Sequence, residues 1–283
     1  MYTLKIENEY NSQLELTHNE DKWQITSVTG LNPPPASIST SVVAGFDGER
    51  FNSSRLDKRN IVISFVINSQ VEKNRMLLNS VIFPKRYIKI YYKNSSKNLY
   101  IEGYVESFEY DIFSEKCACQ LSVICPTPFW IDNNVTSMSL TSVIDLLEFP
   151  FSIPPEGIAF SEFVGIQTNI VANNGNIQTG IEIEIEALHN IIRPTIMNLT
   201  TSESMTLETE MQPGDRILIS TIRGNKYVKL DCNCVESNLI NNLTADSKWI
   251  QLVPGDNRFT YSASYGSEYI NMTIKHRDLY GGV

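Results

Sequence analysis

The stretch from Gly103 to Ile131, GYVESFEYDIFSEKCACQLSVICPTPFWI, decides how this chain divides. Val105, Phe108, Tyr110 and Ile112 mark a first strand-like run. In a second run Cys119, Leu121 and Val123 alternate with Gln120, Ser122 and Ile124. Period-two alternation rich in β-branched and aromatic residues is the signature of a half-buried strand. An acidic bend holding Asp111 and Glu115 separates the two runs. Pro126 and Pro128 stop the second, because proline has no N–H to give to a ladder. The pair Phe129-Trp130 packs at the exit, where a new domain begins. Residues 1–131 therefore read as one module, and residues 132–283 as a second with an irregular linker at its start.

Upstream, short strands open the first module. Tyr2, Leu4 and Ile6 alternate with polar residues, as do Leu14 and Leu16, then Trp23 and Ile25. Leu31-Asn32-Pro33-Pro34-Pro35 is a stiff extended break, read as a crossing from one sheet to another. Strand character resumes from Ile38 to Ala44. Residues Gly45 to Arg55, rich in glycine, small polar residues and arginine, read as a loop carrying Phe46 and Phe51. RNIVISFVIN, from Arg59 to Asn68, is the clearest strand. Ser69 and Glu72 form the S-x-x-E pattern of a capping box. Val71, Arg75, Leu78 and Ile82, with Leu77 and Val81, make one stripe at helical spacing. A single helix is expected here, ended by Pro84 and lying on a sheet. Tyr87–Lys93 and Asn98–Tyr104 follow as strands around a turn at Asn94–Lys97.

Downstream, prolines at 150, 154 and 155 punctuate the linker. The rest reads as pure β. Ile181, Ile183 and Ile185 alternate with Glu182, Glu184 and Glu186, and further strands are expected at 194–199, 204–209, 216–221, 226–232, 249–253, 258–263 and 269–275. Two echoed turns, Pro213-Gly214-Asp215 and Pro254-Gly255-Asp256, each precede an alternating strand. Short strands at this spacing predict a β-sandwich. The fold class is mainly β, with one α-helix in the N-terminal module.

The chain has 283 residues, 42% of them hydrophobic and 19% charged, with net charge −9. That length holds two ordinary domains, and that charge argues against a partner held by phosphate contacts. No apolar run approaches the roughly 18 residues of a membrane span, and the polar, alternating first residues do not read as a leader. Five cysteines include two C-x-C pairs, Cys117/Cys119 and Cys232/Cys234. Structural zinc sites favour wider spacings, so the thiols are expected to be free and buried. Cofactors and catalytic residues are expected to be absent: the chain carries no nucleophile elbow, P-loop, dinucleotide fingerprint or H-E-x-x-H motif. His18, His189 and His276 sit in no motif. Three carboxylates at 182, 184 and 186 suit a cation or a glycosidase in principle, but they also describe a solvated strand face. Trp249, Tyr261, Tyr265 and Tyr269 are the residues from which a sugar-stacking platform would be built.

Several stretches together resemble the distal tail (Dit) protein family of long-tailed bacteriophages. They are Gly45-Phe46-Asp47-Gly48, Arg59-Asn60-Ile61, the helix with Arg75 and Leu78, Ile90-Tyr91-Tyr92, Gly103-Tyr104-Val105-Glu106 and Cys125-Pro126-x-Pro128-Phe129. The second half adds Pro213-Gly214-Asp215, Thr221-x-x-Gly224, Trp249-x-x-Leu252-x-Pro254-Gly255-x-Asn257 and Tyr280-Gly281-Gly282-Val283.

The resemblance implies an N-terminal ring-forming β-sandwich with one helix and a hairpin, and a galectin-like or carbohydrate-module-like C-terminal β-sandwich. It implies a homohexameric ring at the tail tip of a virion, assembled in the bacterial cytoplasm. Such a ring joins the tail tube protein to the tail-tip hub (tail-associated) protein and can carry a receptor-binding protein, without specific nucleic-acid or membrane binding. A closed ring needs two different, mutually fitting faces per subunit. Phe46, Arg50, Arg55 and Arg59 are the expected subunit-interface residues, and Asp111 and Glu115 the expected lumen residues. The alternative is a carbohydrate-binding host adhesin acting through the C-terminal module; a glycoside hydrolase using the Glu182 run is the least favoured reading.

Overall fold

The computed structural model describes residues 2–17, 22–45, 47–111, 113, 116–141, 143–145, 161–163, 168–232 and 235–283. Phe46, Glu115, His18, Cys234 and the prolines at 150, 154 and 155 lie outside them. The chain forms two compact units: Met1–Asn134 together with Leu279–Val283, and Val135–Asp278.

The first unit contains β1 (Thr3–Asn8), β2 (Gln13–Leu16), β3 (Trp23–Thr29), β4 (Ala36–Val42), β5 (Glu49–Leu56), β6 (Arg59–Ile67), α1 (Val71–Val81), β7 (Tyr87–Lys93), β8 (Asn98–Asp111), β9 (Cys117–Cys125) and β10 (Trp130–Asp132). Its main sheet runs β2-β1-β7-β8-β9-β6-β3, with every neighbouring pair antiparallel. The two end strands come back together. Ile25 N–H donates to Thr17 O at 3.4 Å, and Trp23 Nε1–H to Glu15 O at 2.7 Å. Alternation explains the curl: each strand has one apolar face, and wrapping lets all of them share one core. Leu4, Ile6, Leu14, Leu16, Ile61, Ile63, Phe65, Ile88, Ile90, Leu99, Ile101, Leu121 and Val123 fill it, joined by Leu78 and Val81 of α1.

The runs expected at 98–104 and 105–112 are one 14-residue strand, β8, bent by a bulge between Val105 and Ser107. At Gly103 this strand lies so close to β9 that an added Cβ would stand 2.8 Å from Ile124 O. The capping box does not form. The helix begins at Val71, with Gln70 as N-cap in the left-handed region at φ 44° and no side-chain cap. Instead Asn74, buried on the helix, donates from Nδ2 to Ser69 O at 2.6 Å.

The second unit contains β11 (Thr136–Thr141), β12 (Val143–Asp145), β13 (Ser161–Phe163), β14 (Asn169–Asn173), β15 (Thr179–Ala187), β16 (Ile191–Asn198), β17 (Glu203–Thr206), β18 (Glu210–Met211), β19 (Arg216–Ser220), β20 (Tyr227–Cys232), β21 (Val235–Asn238), β22 (Gln251–Leu252), β23 (Gly255–Tyr265) and β24 (Ile270–His276). One sheet runs β11-β24-β15-β19-β20-β21 and another β14-β23-β16-β17. Ile181, Ile183, Ile185, Ile217, Ile219, Met272 and Ile274 of the first share a core with Val171, Ile196, Phe259 and Tyr261 of the second. The echoed turn at Pro254 is held by Asn257. Its Oδ1 accepts from Val253 N–H at 3.0 Å, and its Nδ2 donates to Val253 O at 2.8 Å and Gly255 O at 3.0 Å.

After β24 the chain returns to the first unit. Leu279–Val283, placed by sequence in the second module, belong to the first. There β25 (Leu279–Tyr280) pairs antiparallel with β10, Tyr280 opposite Trp130 and Leu279 opposite Ile131.

Candidate assembly surfaces

The segment read as a loop from Gly45 to Arg55 is mostly a strand. β4 and β5 form a separate two-stranded sheet in which every residue is exposed. Cross-strand partners share a face, and the register sorts the residues. Ala36 opposite Leu56, Ile38 opposite Ser54, Thr40 opposite Phe51 and Val42 opposite Glu49 make one face. Ser37 opposite Arg55, Ser39 opposite Ser53 and Ser41 opposite Arg50 make the other. The hairpin is therefore two-faced: Ile38, Val42, Phe51 and Leu56 lie on one side among Thr40, Ser54 and Glu49, and serines with two arginines lie on the other. Its apolar side chains stand open to solvent, with Ile38 64% exposed, Phe51 60% and Val42 78%. A lone two-stranded hairpin is at best marginally stable in water. Local polar contacts hold its base and middle. Ser37 Oγ–H donates to Asp57 Oδ2 at 2.6 Å, Arg55 Nε lies 3.7 Å from Asp57 Oδ1, and Thr40 Oγ1–H donates to Glu49 Oε2.

The expected interface residues separate. Arg50 and Arg55 sit on the polar face of the hairpin, while Phe46 lies outside the described residues. Arg59 does not lie on the surface: it is 2% exposed. Its Nε–H donates to Pro128 O at 2.9 Å, and Nη1 to Gly30 O at 2.6 Å and Asn32 O at 2.7 Å; Nη2 donates to Gly281 O. Its guanidinium also faces the Trp130 ring, 5.9 Å from the centroid. Five fixed donors on a planar fork suit such a cluster of carbonyls, and burial pulls the Arg59 pKa below its ordinary value. Its work is inside the first unit.

Of the expected lumen pair, Asp111 ends β8, exposed, and its Oδ1 accepts from Phe113 N–H at 3.0 Å. Phe113 is 95% exposed, so this turn presents an aromatic ring beside the carboxylate. Glu115 lies outside the described residues.

The chemical candidates do not converge. Glu184 faces Lys275 at 3.4 Å and Arg216 at 3.9 Å, and Glu186 faces Arg216 at 3.8 Å and accepts from Asn271 Nδ2 at 3.0 Å. Cations on the flanking strands β19 and β24 thus offset Glu184 and Glu186, as on a solvated sheet face. Tyr261 is buried in the core, Trp249 and Tyr269 pack partly into it, and Tyr265 stands exposed. His189 stacks edge-on to Tyr269 at 4.6 Å. His276 is buried, its Nε2 facing Ala172 O at 3.1 Å and Asp278 Oδ1 at 3.3 Å. Cys117, Cys119 and Cys125 are free and buried. Desolvation pushes the thiols of Cys119 and Cys125 up to about 12, so they are poor nucleophiles and poor metal ligands at neutral pH. Among the described residues no cluster of His, Cys, Asp or Glu is arranged to hold a metal ion.

What remains is a scaffold of two β units carrying an uncovered two-faced hairpin. Residues 174–280 match the family model described as the siphovirus-type tail component, C-terminal domain, and residues 11–125 match the phage tail protein RIFT-related domain. The chain belongs to the siphophage distal tail protein family. Its fold is similar to the crystal structure of the Dit protein (gp 19.1) of phage SPP1, described as a paradigm of the hub adsorption apparatus in phages infecting Gram-positive hosts. The TM-score is 0.71 at 14% identity over 98% of both chains. A chain of the phage P2 baseplate in its activated conformation with Ca is similar at TM-score 0.51 and 9% identity, again over 98% of both chains. No curated protein matches the sequence. As a distal tail protein the chain is a structural component of a phage tail and its baseplate. The exposed hairpin, rather than a catalytic pocket, is then its candidate functional surface.

Proposed function

We propose that this distal tail protein closes into a homohexameric ring at the tail tip, joining the tail tube protein to the tail-tip hub protein and carrying receptor-binding proteins. The two-faced hairpin β4–β5 is the observation that carries the reading. A closed ring is made of heterologous contacts, so each subunit must offer a face its neighbour lacks. A two-faced arm of exposed Ile38, Val42, Phe51 and Leu56 is such a face. Covering these side chains contributes about 1.5–3 kcal/mol for each one fully buried, and Arg50 and Arg55 on the opposite side keep the arm soluble before assembly. The acidic turn around Asp111 suits a bore through which DNA passes, since a carboxylate repels phosphate. Assembly takes place in the bacterial cytoplasm, and the finished ring resides in the virion. A C-terminal unit of galectin-like type, acting as an adhesin, has less support: its aromatic side chains are dispersed between core and surface.

Light scattering after size exclusion tests the proposal. The intact chain is expected at six times its monomer mass, and the double variant Ile38→Ser/Phe51→Ser at the monomer mass with an unchanged circular dichroism spectrum. A double variant that stays hexameric removes the hairpin from the interface, and an intact chain that stays monomeric at every concentration overturns the ring.

A further inference from the structure

The return of Leu279–Val283 to the first unit has no local cause in its sequence. Among the described residues every other strand of that unit precedes Asn134. The segment joins four separate pieces of the unit. Its strand β25 pairs with β10, laying Tyr280 against Trp130, which is wholly buried. Gly281 O accepts from Arg59 Nη2, a bond between residues 222 positions apart. Gly282 lies on Pro33 so closely that a Cβ would stand 2.8 Å from Pro33 Cδ and 3.0 Å from Pro33 N. Val283 N–H donates to Leu31 O at 3.2 Å. Lys97 Nζ sits 4.2 Å from the centroid of the Tyr280 ring. Remove the segment and Arg59 keeps three carbonyls of four, Trp130 loses a wall, and residues 31–33 lose their outer partner. A buried cation deprived of one acceptor carries the desolvation cost without the compensating bond.

We infer that Leu279–Val283 is a clasp that makes the native state of the first unit conditional on the chain having passed through the second. Domains generally fold as they emerge, N-terminal first. Here the first unit emerges first but waits for a strand translated after the second. A chain cut short within Val135–Asp278 has β10 without β25 and Arg59 without Gly281. A first unit that carries the segment therefore offers the ring contacts from a stable body, and one that lacks it does not. This last step rests on the ring reading above; the clasp itself does not.

Hydrogen exchange by mass spectrometry separates the two. The full chain is compared with a variant lacking 279–283 and with Gly282→Ala, which keeps the length but meets Pro33. In the shortened variant, amides of β6 and β10 are expected to exchange about a hundredfold faster, while β15, β19 and β24 keep their protection. Gly282→Ala is expected to give about a tenfold change confined to residues 30–33 and 128–131. Synthetic LYGGV peptide added to the shortened variant is expected to restore part of the protection. Exchange in β6 and β10 within twofold of the full chain overturns the clasp, as does equal loss in both units. If exchange changes as expected but light scattering finds the full chain monomeric, the clasp stands and the ring reading falls.

Discussion

Replacing Arg59 by methionine removes the one buried cation that ties residues 30, 32, 128 and 281 together. The guanidinium makes four hydrogen bonds to carbonyls, and bonds to a charged group contribute about 1.5–3 kcal/mol each. Methionine returns part of that sum, because several kcal/mol of desolvation of the charge no longer has to be met. It also leaves four carbonyls short of a donor. The net loss is about 3–5 kcal/mol, the range for breaking a buried charged cluster from one side. A unit of this size loses roughly 3 °C of Tm per kcal/mol, so its transition falls by about 10–15 °C. Arg59→Lys recovers less than half of this, since three N–H bonds from one nitrogen cannot span carbonyls arranged around a planar fork. Differential scanning calorimetry reads the result, with hydrogen exchange assigning the transition to its unit. A shift of less than about 3 °C for Arg59→Met refutes the account of Arg59 as the tie, and so does an equal drop in the stability of Val135–Asp278.

Two further outcomes follow from the core of the first unit. Cys119 and Cys125 hold their protons up to about pH 12 in the fold, against about 8.5 in an unfolded chain. Below the unfolded value both states are protonated and stability is undiminished; above it the unfolded chain sheds protons that the fold retains, so stability falls as pH rises, by about 1.4 kcal/mol per pH unit for each thiol. Urea midpoints measured from pH 8 to 10 should show this slope, and Cys119→Ala/Cys125→Ala should flatten it; an unchanged slope assigns the alkaline loss to other groups. Gly103→Ala forces a Cβ to within 2.8 Å of Ile124 O and Val123 Cγ1 and 2.9 Å of Cys125 Sγ. The cost is about 1–3 kcal/mol, read by thermal denaturation, and a variant as stable as the parent refutes the close approach of β8 to β9.

Much of the architecture is written locally. In β9 and β15 the period-two alternation assigns Cys119, Leu121 and Val123, and Ile181, Ile183 and Ile185, to the core, where they lie. The stripe of Leu78, Val81 and Ile82 marks the helix face in the same way. β5 was less legible for a definite reason: its bulge between Ser39 and Thr40 of the partner leaves Asn52 extra and breaks the alternation between Phe51 and Leu56. An arginine-bearing run without period reads as a loop. The role of Arg59 was hidden too, because a charged residue is ordinarily exposed.

Which residues face inward within each strand is legible in the residue order, because neighbouring side chains on a strand point to opposite sides and one side is apolar. The burial of Arg59, the isolation of β4 and β5 with both faces open, and the completion of the first unit by Leu279–Val283 arise from the folded chain. Each of these depends on partners far away in the chain: carbonyls at 30, 32, 128 and 281, a sheet that does not extend to cover the hairpin, and Trp130 waiting for Tyr280. A periodicity of two residues reports a face, and it carries no information about which distant segment will meet it.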